Sequence, residues 1–394
     1  MRHHVVIVSE ESVMGGYYRC GVGEVVDTMA MTLRAYFDVT VITPGKYRGG
    51  ALGGRLCLGV YGEDFYAAAA EVVNAAQPSL VHNFGRPDFI NRLTTTCKKV
   101  LAFDRWEEDI ADQLDSVPKY DHVTTLSSAY AAEMIAAHPE ASEWPLLGII
   151  NGIDGGFYAP SSTSKAESRN HFYRMHGRED TGKPLFVTTG RLAAVKGTEE
   201  LIAEASAIAS AGADLVVYGE GDEEYEQRFA ELHRAGVLIF VPHMADYFEM
   251  CSAMFAADFY LTPSIHEVCG LQPMKAARMG CVPIVRPVGG MGENFDATNA
   301  ILITGSITDA ILQAMSLSKD EYSTLRLNAM AGSWTWDTRI RPWVELYGLE
   351  TAPESESAFK AAPPAKESRV TRSAEVAPIE APKKKECPFA LYGG

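Results

Sequence analysis

Glu267 stands in the stretch Thr262-Pro263-Ser264-Ile265-His266-Glu267-Val268-Cys269-Gly270-Leu271-Gln272-Pro273, whose residue types suit it to hold a charged ligand. The apolar run Phe259-Tyr260-Leu261 before it reads as a buried strand, and the helix formers Met274 to Met279 after it stop at Gly280. A strand therefore empties into a short turn, and a helix begins at once. The first backbone N–H groups of a helix have no intrahelical partner and lie at the positive end of its dipole, so they can hold an anion such as phosphate. Glu267 sits beside them as an acceptor for hydroxyl groups. An anion cradle next to a hydroxyl acceptor is what a sugar joined to a phosphate requires.

Other stretches carry matching chemistry. Leu185-Phe186-Val187-Thr188-Thr189 reads as a strand, and Gly190-Arg191-Leu192-Ala193-Ala194-Val195-Lys196-Gly197 follows it. Arg191 offers a planar fork and Lys196 a point charge, a pairing suited to a diphosphate leaving group. Alone they would read as solvated cations; with the Glu267 turn in the same α/β unit they read as part of a site. In the first half, Gly21-Val22-Gly23 precedes a helix, and glycine there lets the backbone approach a ligand closely. Asp104 ends the run Val100-Leu101-Ala102-Phe103. It serves either to stabilise a developing positive charge or as a local ion pair with Arg105.

These residues resemble the bacterial glycogen synthase and starch synthase family, from about residue 5 to residue 350. Glu267-Val268-Cys269-Gly270-Leu271 is similar to its Glu-Pro-Cys-Gly-Leu donor loop, with Val268 in place of proline. Ala256-Ala257-Asp258, Pro263-Ser264, Gly280-Cys281-Val282-Pro283-Ile284-Val285 and Gly289-Gly290 fall in the family's order, as do Thr124-Thr125-Leu126-Ser127, Tyr130-Ala131 and Asn151-Gly152-Ile153-Asp154. The resemblance implies a GT-B fold and a retaining glucosyltransferase using ADP-glucose or UDP-glucose. It places Arg191 and Lys196 on the donor pyrophosphate, Glu267 on the sugar, and Gly21, Gly23, Cys269, Gly270, Leu271 and Gln272 around the donor. Departures lie in the first half, which is shortened. Asp104 stands where the family carries a histidine, and Tyr18, Arg19 or Cys20 stands where it carries a lysine before the glycines. Asn83-Phe84-Gly85-Arg86 replaces an aspartate and tryptophan beyond His82, which therefore reads as a satisfied strand-end histidine. Gly219-Glu220-Gly221-Asp222 resembles the loop near the base, with His243 and Tyr247 as candidate platforms.

Composition excludes more than it identifies. The 394 residues suffice for two sizeable cores, and the 47% hydrophobic and 22% charged shares are ordinary for a globular protein. Fifty-one acidic against thirty-five basic residues give a net charge of −16, which argues against a nucleic-acid partner. Seven cysteines without CxxC or Cys/His spacing read as reduced thiols, with Cys269 a candidate reactive thiol at a helix start. No Asp/Glu cluster suggests a metal, so neither metal nor cofactor is expected. The absence of a signal peptide or membrane span predicts a cytoplasmic protein.

Strand candidates at Val5–Val8, Val39–Ile42, Leu80–His82, Val100–Phe103, His122–Leu126 and Leu147–Ile150 alternate with helix candidates at Glu24–Tyr36, Phe65–Ala76, Pro87–Thr95 and Ala129–Ala137. The second half repeats the plan, with strands at Leu185–Thr189, Asp214–Tyr218, Leu238–Val241, Phe259–Leu261, Val282–Val285 and Ala300–Ile303. The expected fold is α/β, with two doubly wound Rossmann-like domains and a cleft between their strand ends. The first domain spans 1–154, a connection 155–183, the second domain 184–333, and an aromatic crossover helix 334–350. Residues 351–394 are rich in alanine, proline, glutamate and lysine and are expected to be a disordered tail, able at most to dock a partner. Two other functions fit the same residues: a transferase of another sugar onto a small molecule or protein, and a non-catalytic nucleotide-sugar or glucan binder. Truncation at Thr351 is expected to leave the thermal unfolding midpoint unchanged. A clear fall in calorimetry would show that the tail packs on the body.

Overall fold

The computed structural model describes residues 2–13, 21–45, 50–52, 55–60, 64–103, 108–160 and 164–350. Asp104, the 351–394 tail and the Tyr18–Cys20 segment lie outside these residues. In chain order the first half contains β1 (His4–Ser9), α1 (Gly21–Leu33), β2 (Asp38–Pro44), β3 (Gly50–Leu52), β4 (Arg55–Val60), α2 (Phe65–Ala76), β5 (Leu80–Phe84), β6 (Lys98–Ala102), β7 (His122–Thr125), α3 (Ser128–Ala137) and β8 (Leu146–Gly148). The rest contains α4 (Lys165–Met175), β9 (Leu185–Thr189), α5 (Thr198–Ser210), β10 (Asp214–Tyr218), α6 (Glu223–Arg234), β11 (Ile239–Val241), α7 (Tyr247–Ala256), β12 (Phe259–Thr262), α8 (Leu271–Arg278) and β13 (Val282–Val285). It closes with α9 (Gly289–Asn294), β14 (Ile301–Leu302), α10 (Ile307–Ser316), α11 (Lys319–Met330), α12 (Trp336–Arg339) and α13 (Arg341–Tyr347).

The strands form an eight-stranded sheet in the order β3-β4-β2-β1-β5-β6-β7-β8 and a six-stranded sheet in the order β11-β10-β9-β12-β13-β14. All neighbours run parallel except β3 and β4. Both sheets reverse their winding beside one strand, between β1 and β5 in the first and between β9 and β12 in the second. Loops leaving the carboxyl ends of strands at such a reversal diverge to opposite faces and open a crevice. Gly21 opens the helix that follows β1, and the loops after β9 and β12 carry Lys196 and Glu267. The hairpin of β3 and β4 escapes the sequence reading because its glycine-rich, three-residue first strand carries no alternation.

Two expected boundaries look different in three dimensions. The connection contains α4, whose Ser164–Glu167 capping box fixes its start. Phe172 and Tyr173 of α4 are buried in the second core. Arg169 donates to Asp180 and, at 2.8 Å, to Asp258 just before β12. This segment is therefore built into the second domain. The terminal aromatics divide their burial: Trp334 stacks on Phe295 with ring centres 5.0 Å apart, whereas Trp336, Trp343 and Tyr347 pack in the core around β1 and α1.

His82 lies inside β5, and its Nδ1 meets the Tyr347 hydroxyl at 2.8 Å. Trp343 covers its ring at 5.2 Å. It thus anchors the returning C-terminal helix onto the first sheet. Complete burial pushes its pKa down from 6.5 to about 3. The folded chain then binds fewer protons than the unfolded chain between those values. Stability is lost as pH falls through this window, by about 1.4 kcal/mol per pH unit. In urea unfolding from about pH 7 to about pH 4.5, the parent should lose stability relative to His82→Gln. A constant difference would show that His82 titrates alike in both states.

Candidate active site

The loop from Pro263 to Gly270 has no regular structure, and backbone packing holds it. Gly289 has φ +48°, and a Cβ there would lie 2.1 Å from the Glu267 carbonyl oxygen. Gly290 donates its N–H to that oxygen at 3.1 Å. The Asn294 Nδ2 donates to the Cys269 carbonyl at 2.9 Å. Short helix α9 therefore engages the loop carbonyls at two points. Gly270 begins α8 as its N-cap with φ +84°, a conformation that favours glycine, and no side chain caps the helix. Pro273 at the third helical position has no N–H. The amides of Leu271 and Gln272 donate to no group among the described residues. Two backbone donors are thus available to an anion where the helix dipole is positive.

The second arm comes from the turn after β9, which neighbours β12 in the sheet. Leu192 is tied to the glycine turn after β10, donating to Glu220 and accepting from Asp222. Its companion glycines are needed there: a Cβ at Gly221 would lie 2.2 Å from the Leu192 carbonyl oxygen. Gly197 has φ +71° and lies against Pro263, where a Cβ would be 2.4 Å from its carbonyl oxygen. The Val195 carbonyl accepts from the N–H groups of Ile265 and His266. These contacts bring the Lys196 Nζ to 2.6 Å from the Glu267 Oε2. Arg191, five positions earlier, is exposed and makes no ion pair among the described residues.

The first domain supplies a second helix start. Gly21 opens α1, and a Cβ at that position would meet the Leu271 side chain at 3.2 Å. One turn further, Lys275 of α8 reaches Glu24 of α1 at 2.7 Å. The lysine is only 2% exposed and lies 4.8 Å over the Tyr158 ring. The N-terminal turns of α1 and α8 therefore lie together, and Gly23 is buried behind them. Nearer the Glu267 turn, His266 meets Glu133 of α3 at 3.1 Å, and Glu293 accepts the Ala129 N–H. Ser127 caps α3, which gives the Thr-Thr-Leu-Ser stretch its local role.

Several candidates take other places. Cys269 is 3% exposed, so its thiol lacks the access that a reactive cysteine needs. His243 is committed to Glu249 at 2.9 Å, with its ring 6.3 Å from Tyr218, and the Tyr247 side chain lies outside the described set. Glu24, Lys275, Asn294 and Arg339 were not foreseen. Each reads as an ordinary helical residue until the helices are packed. Among the described residues, no group of three or more His, Cys, Asp or Glu side chains is placed to hold a metal ion. No described helix is long and apolar enough to cross a membrane.

Residues 183–317 match the family described as glycosyl transferases group 1. This region is a group 1 glycosyltransferase domain. The chain is 29% identical over 263 residues to the glycogen synthase of Pseudomonas syringae pv. syringae (strain B728a), covering 57% of this chain and 53% of that one. It is 30% identical over 274 residues to the glycogen synthase of Edwardsiella ictaluri (strain 93-146), covering 58% and 56%. The chain thus spans little more than half the length of these curated relatives. Solved structures share the fold as well. The catalytic domain of starch synthase IV from Arabidopsis thaliana, bound to ADP and acarbose, superposes with a TM-score of 0.74 at 17% identity over 88% of this chain and 99% of that one. Anabaena HepE in complex with UDP and glucose superposes with a TM-score of 0.65 at 16% identity over 88% and 99%. The two-domain GT-B architecture expected from the glycogen and starch synthase resemblance is the one observed.

The buried ion pair gives an asymmetric prediction for this glycosyltransferase domain and its partner. Glu24→Gln strands the buried Lys275 charge and is expected to cost about 3–5 kcal/mol of stability in urea unfolding. Lys275→Met should cost less, because Glu24 is about one-fifth exposed and water can reach it. Equal losses would mean that the pair is solvated and the two helix starts are held by other contacts.

Proposed function

We propose that this chain is a retaining glycosyltransferase that moves glucose from ADP-glucose or UDP-glucose to the end of an α-glucan or to a glucoside. The observation that carries the reading is Lys196 held 2.6 Å from Glu267, three residues before a helix start with two uncommitted amides. An ammonium has three donors. Lys196 can therefore keep Glu267 in place while donating to a phosphate oxygen, and Glu267 retains its other oxygen for sugar hydroxyls. The Leu271 and Gln272 amides take the distal phosphate, and exposed Arg191 closes on the diphosphate from solvent. As the bond from the anomeric carbon to the diphosphate breaks, its electrons pass to the leaving oxygen. Fixed positive charge there stabilises the transition state more than the ground state. The acceptor hydroxyl then bonds to the same face of the sugar and passes its proton to the departing diphosphate oxygen. The proposed chemistry assigns no step to a metal, and Asp104 is the first-domain candidate to face the sugar.

The glycogen synthase relatives support glucose and a glucan acceptor. The ADP and UDP in the two structural neighbours support a nucleoside-diphosphate donor. Incubation with a panel of nucleotide sugars and α-glucan should release ADP or UDP. Donor binding with no turnover across the panel would favour a binding protein instead. Lys196→Ala should weaken ADP or UDP binding by roughly 1–3 kcal/mol, the range for a hydrogen bond to a charged group, and leave the unphosphorylated nucleoside almost unaffected. Calorimetry distinguishes these cases. Equal weakening of both ligands, or of neither, would remove Lys196 from the diphosphate site.

A further inference from the structure

Arg339, the last residue of α12, joins three parts of the chain. Its Nη1 donates to the Asn151 carbonyl at 3.1 Å, its Nη2 to the Asn294 Oδ1 at 2.8 Å, and its Nε to the Ser333 carbonyl. The guanidinium also lies 5.5 Å over the Trp334 ring. Among the described residues it forms no salt bridge with a carboxylate. Burial pushes its pKa below the usual arginine range, yet arginine stays charged at neutral pH. A half-buried cation without a counter-ion still gives up part of its hydration. Its neutral partners therefore bear on what it is for.

Asn294 is the informative partner. A guanidinium only donates, so the amide atom facing Arg339 must be oxygen. That leaves the Asn294 NH₂ toward the Cys269 carbonyl, which it meets at 2.9 Å. Without the arginine the Asn294 oxygen loses its donor, and the Cys269 carbonyl alone is left to hold the amide in this orientation. The Cys269 carbonyl belongs to the peptide that enters Gly270, and the free amides of Leu271 and Gln272 come next. On its other side, Arg339 holds Asn151, where the chain passes from the first sheet toward the second. There Gly152 lies so close that a Cβ would be 2.6 Å from the Trp336 nitrogen.

Resting on the diphosphate reading above, we propose that Arg339 is a positioning residue for the donor loop. It orients Asn294, which fixes the Cys269–Gly270 peptide and hence the two anion-binding amides, and it ties that loop to the crossover at Asn151. The lysine variant keeps the charge but lacks the planar fork that bridges two acceptors.

Arg339→Met, Arg339→Lys, Asn294→Ala and the Arg339→Met/Asn294→Ala double variant test this, with thermal unfolding confirming that each folds. Amide hydrogen exchange should quicken across residues 267–275 in all four and stay unchanged in β10. ADP and UDP affinity by calorimetry should fall about tenfold or more, since small misplacement of binding groups is expensive. The double variant should be no weaker than the worse single variant, because both act through one relay. Unchanged exchange in the loop overturns the proposal whether or not a nucleotide binds. So does full ADP affinity in Arg339→Lys, which would reduce the role to charge, or additive losses in the double variant. Quickened loop exchange in a protein whose parent form binds neither ADP nor UDP would uphold the relay and sink the diphosphate reading instead.

Discussion

Three glycines set the distance at which the working parts of this protein meet. Gly197 brings the turn after β9 against Pro263, while Gly289 and Gly290 bring α9 beneath Glu267 and Val268. At each position a side chain would collide with backbone, which cannot swing aside as a side-chain tip can. The Glu267 loop has no hydrogen-bonded ladder of its own, so these approaches and the bonds they permit give it shape. Lys196 reaches Glu267 because Val195 is already bonded to Ile265 and His266. The charged contact is therefore a consequence of backbone packing. It does not organise the loop by itself.

The protein as a whole is strongly acidic, yet several cations and two helix starts gather around the Glu267 loop. Two helix starts, Lys196, Arg191, Lys275 and Arg339 lie on or around the elements that form it. Their circumstances differ. Lys275 is buried but paired with Glu24 across the two domains, so its charge is largely committed to holding α1 beside α8. Lys196 is part-buried and shares its charge with Glu267. Arg191 is exposed, and Arg339 is half-buried among neutral acceptors. Charges that are least neutralised within the protein are the ones most able to act on an anion.

The C-terminal segment links the two halves. Trp334 belongs to the second core, and Trp336, Trp343 and Tyr347 belong to the first. Between them, Ile153 forms a bridge with Thr335, so the chain crosses from one sheet to the other twice at nearly the same place. Bending at this crossing must be shared by both passes. A link made of two short extended stretches and one half-buried arginine can carry information about domain position to the Glu267 loop.

The sequence by itself determined what was local. Runs of β-branched and aromatic residues located β9, β10 and β13 to the residue, because a parallel strand buried on both faces must be continuously apolar. Glycine with carboxylate and cations after two such strands singled out Lys196 and Glu267, which the fold brings to 2.6 Å of each other. Tertiary structure decided whatever depends on partners distant in the chain. Lys275 and Glu24 are 251 positions apart, and His82 and Tyr347 are 265 apart. Arg339 is 188 positions from Asn151 and 45 from Asn294. No spacing rule spans such separations, and a lysine or asparagine in a helix reads the same whether it faces water or a buried partner. Only packing of the two sheets sets which of these residues lose water, and the loss of water is what gives their charges and hydrogen bonds consequence.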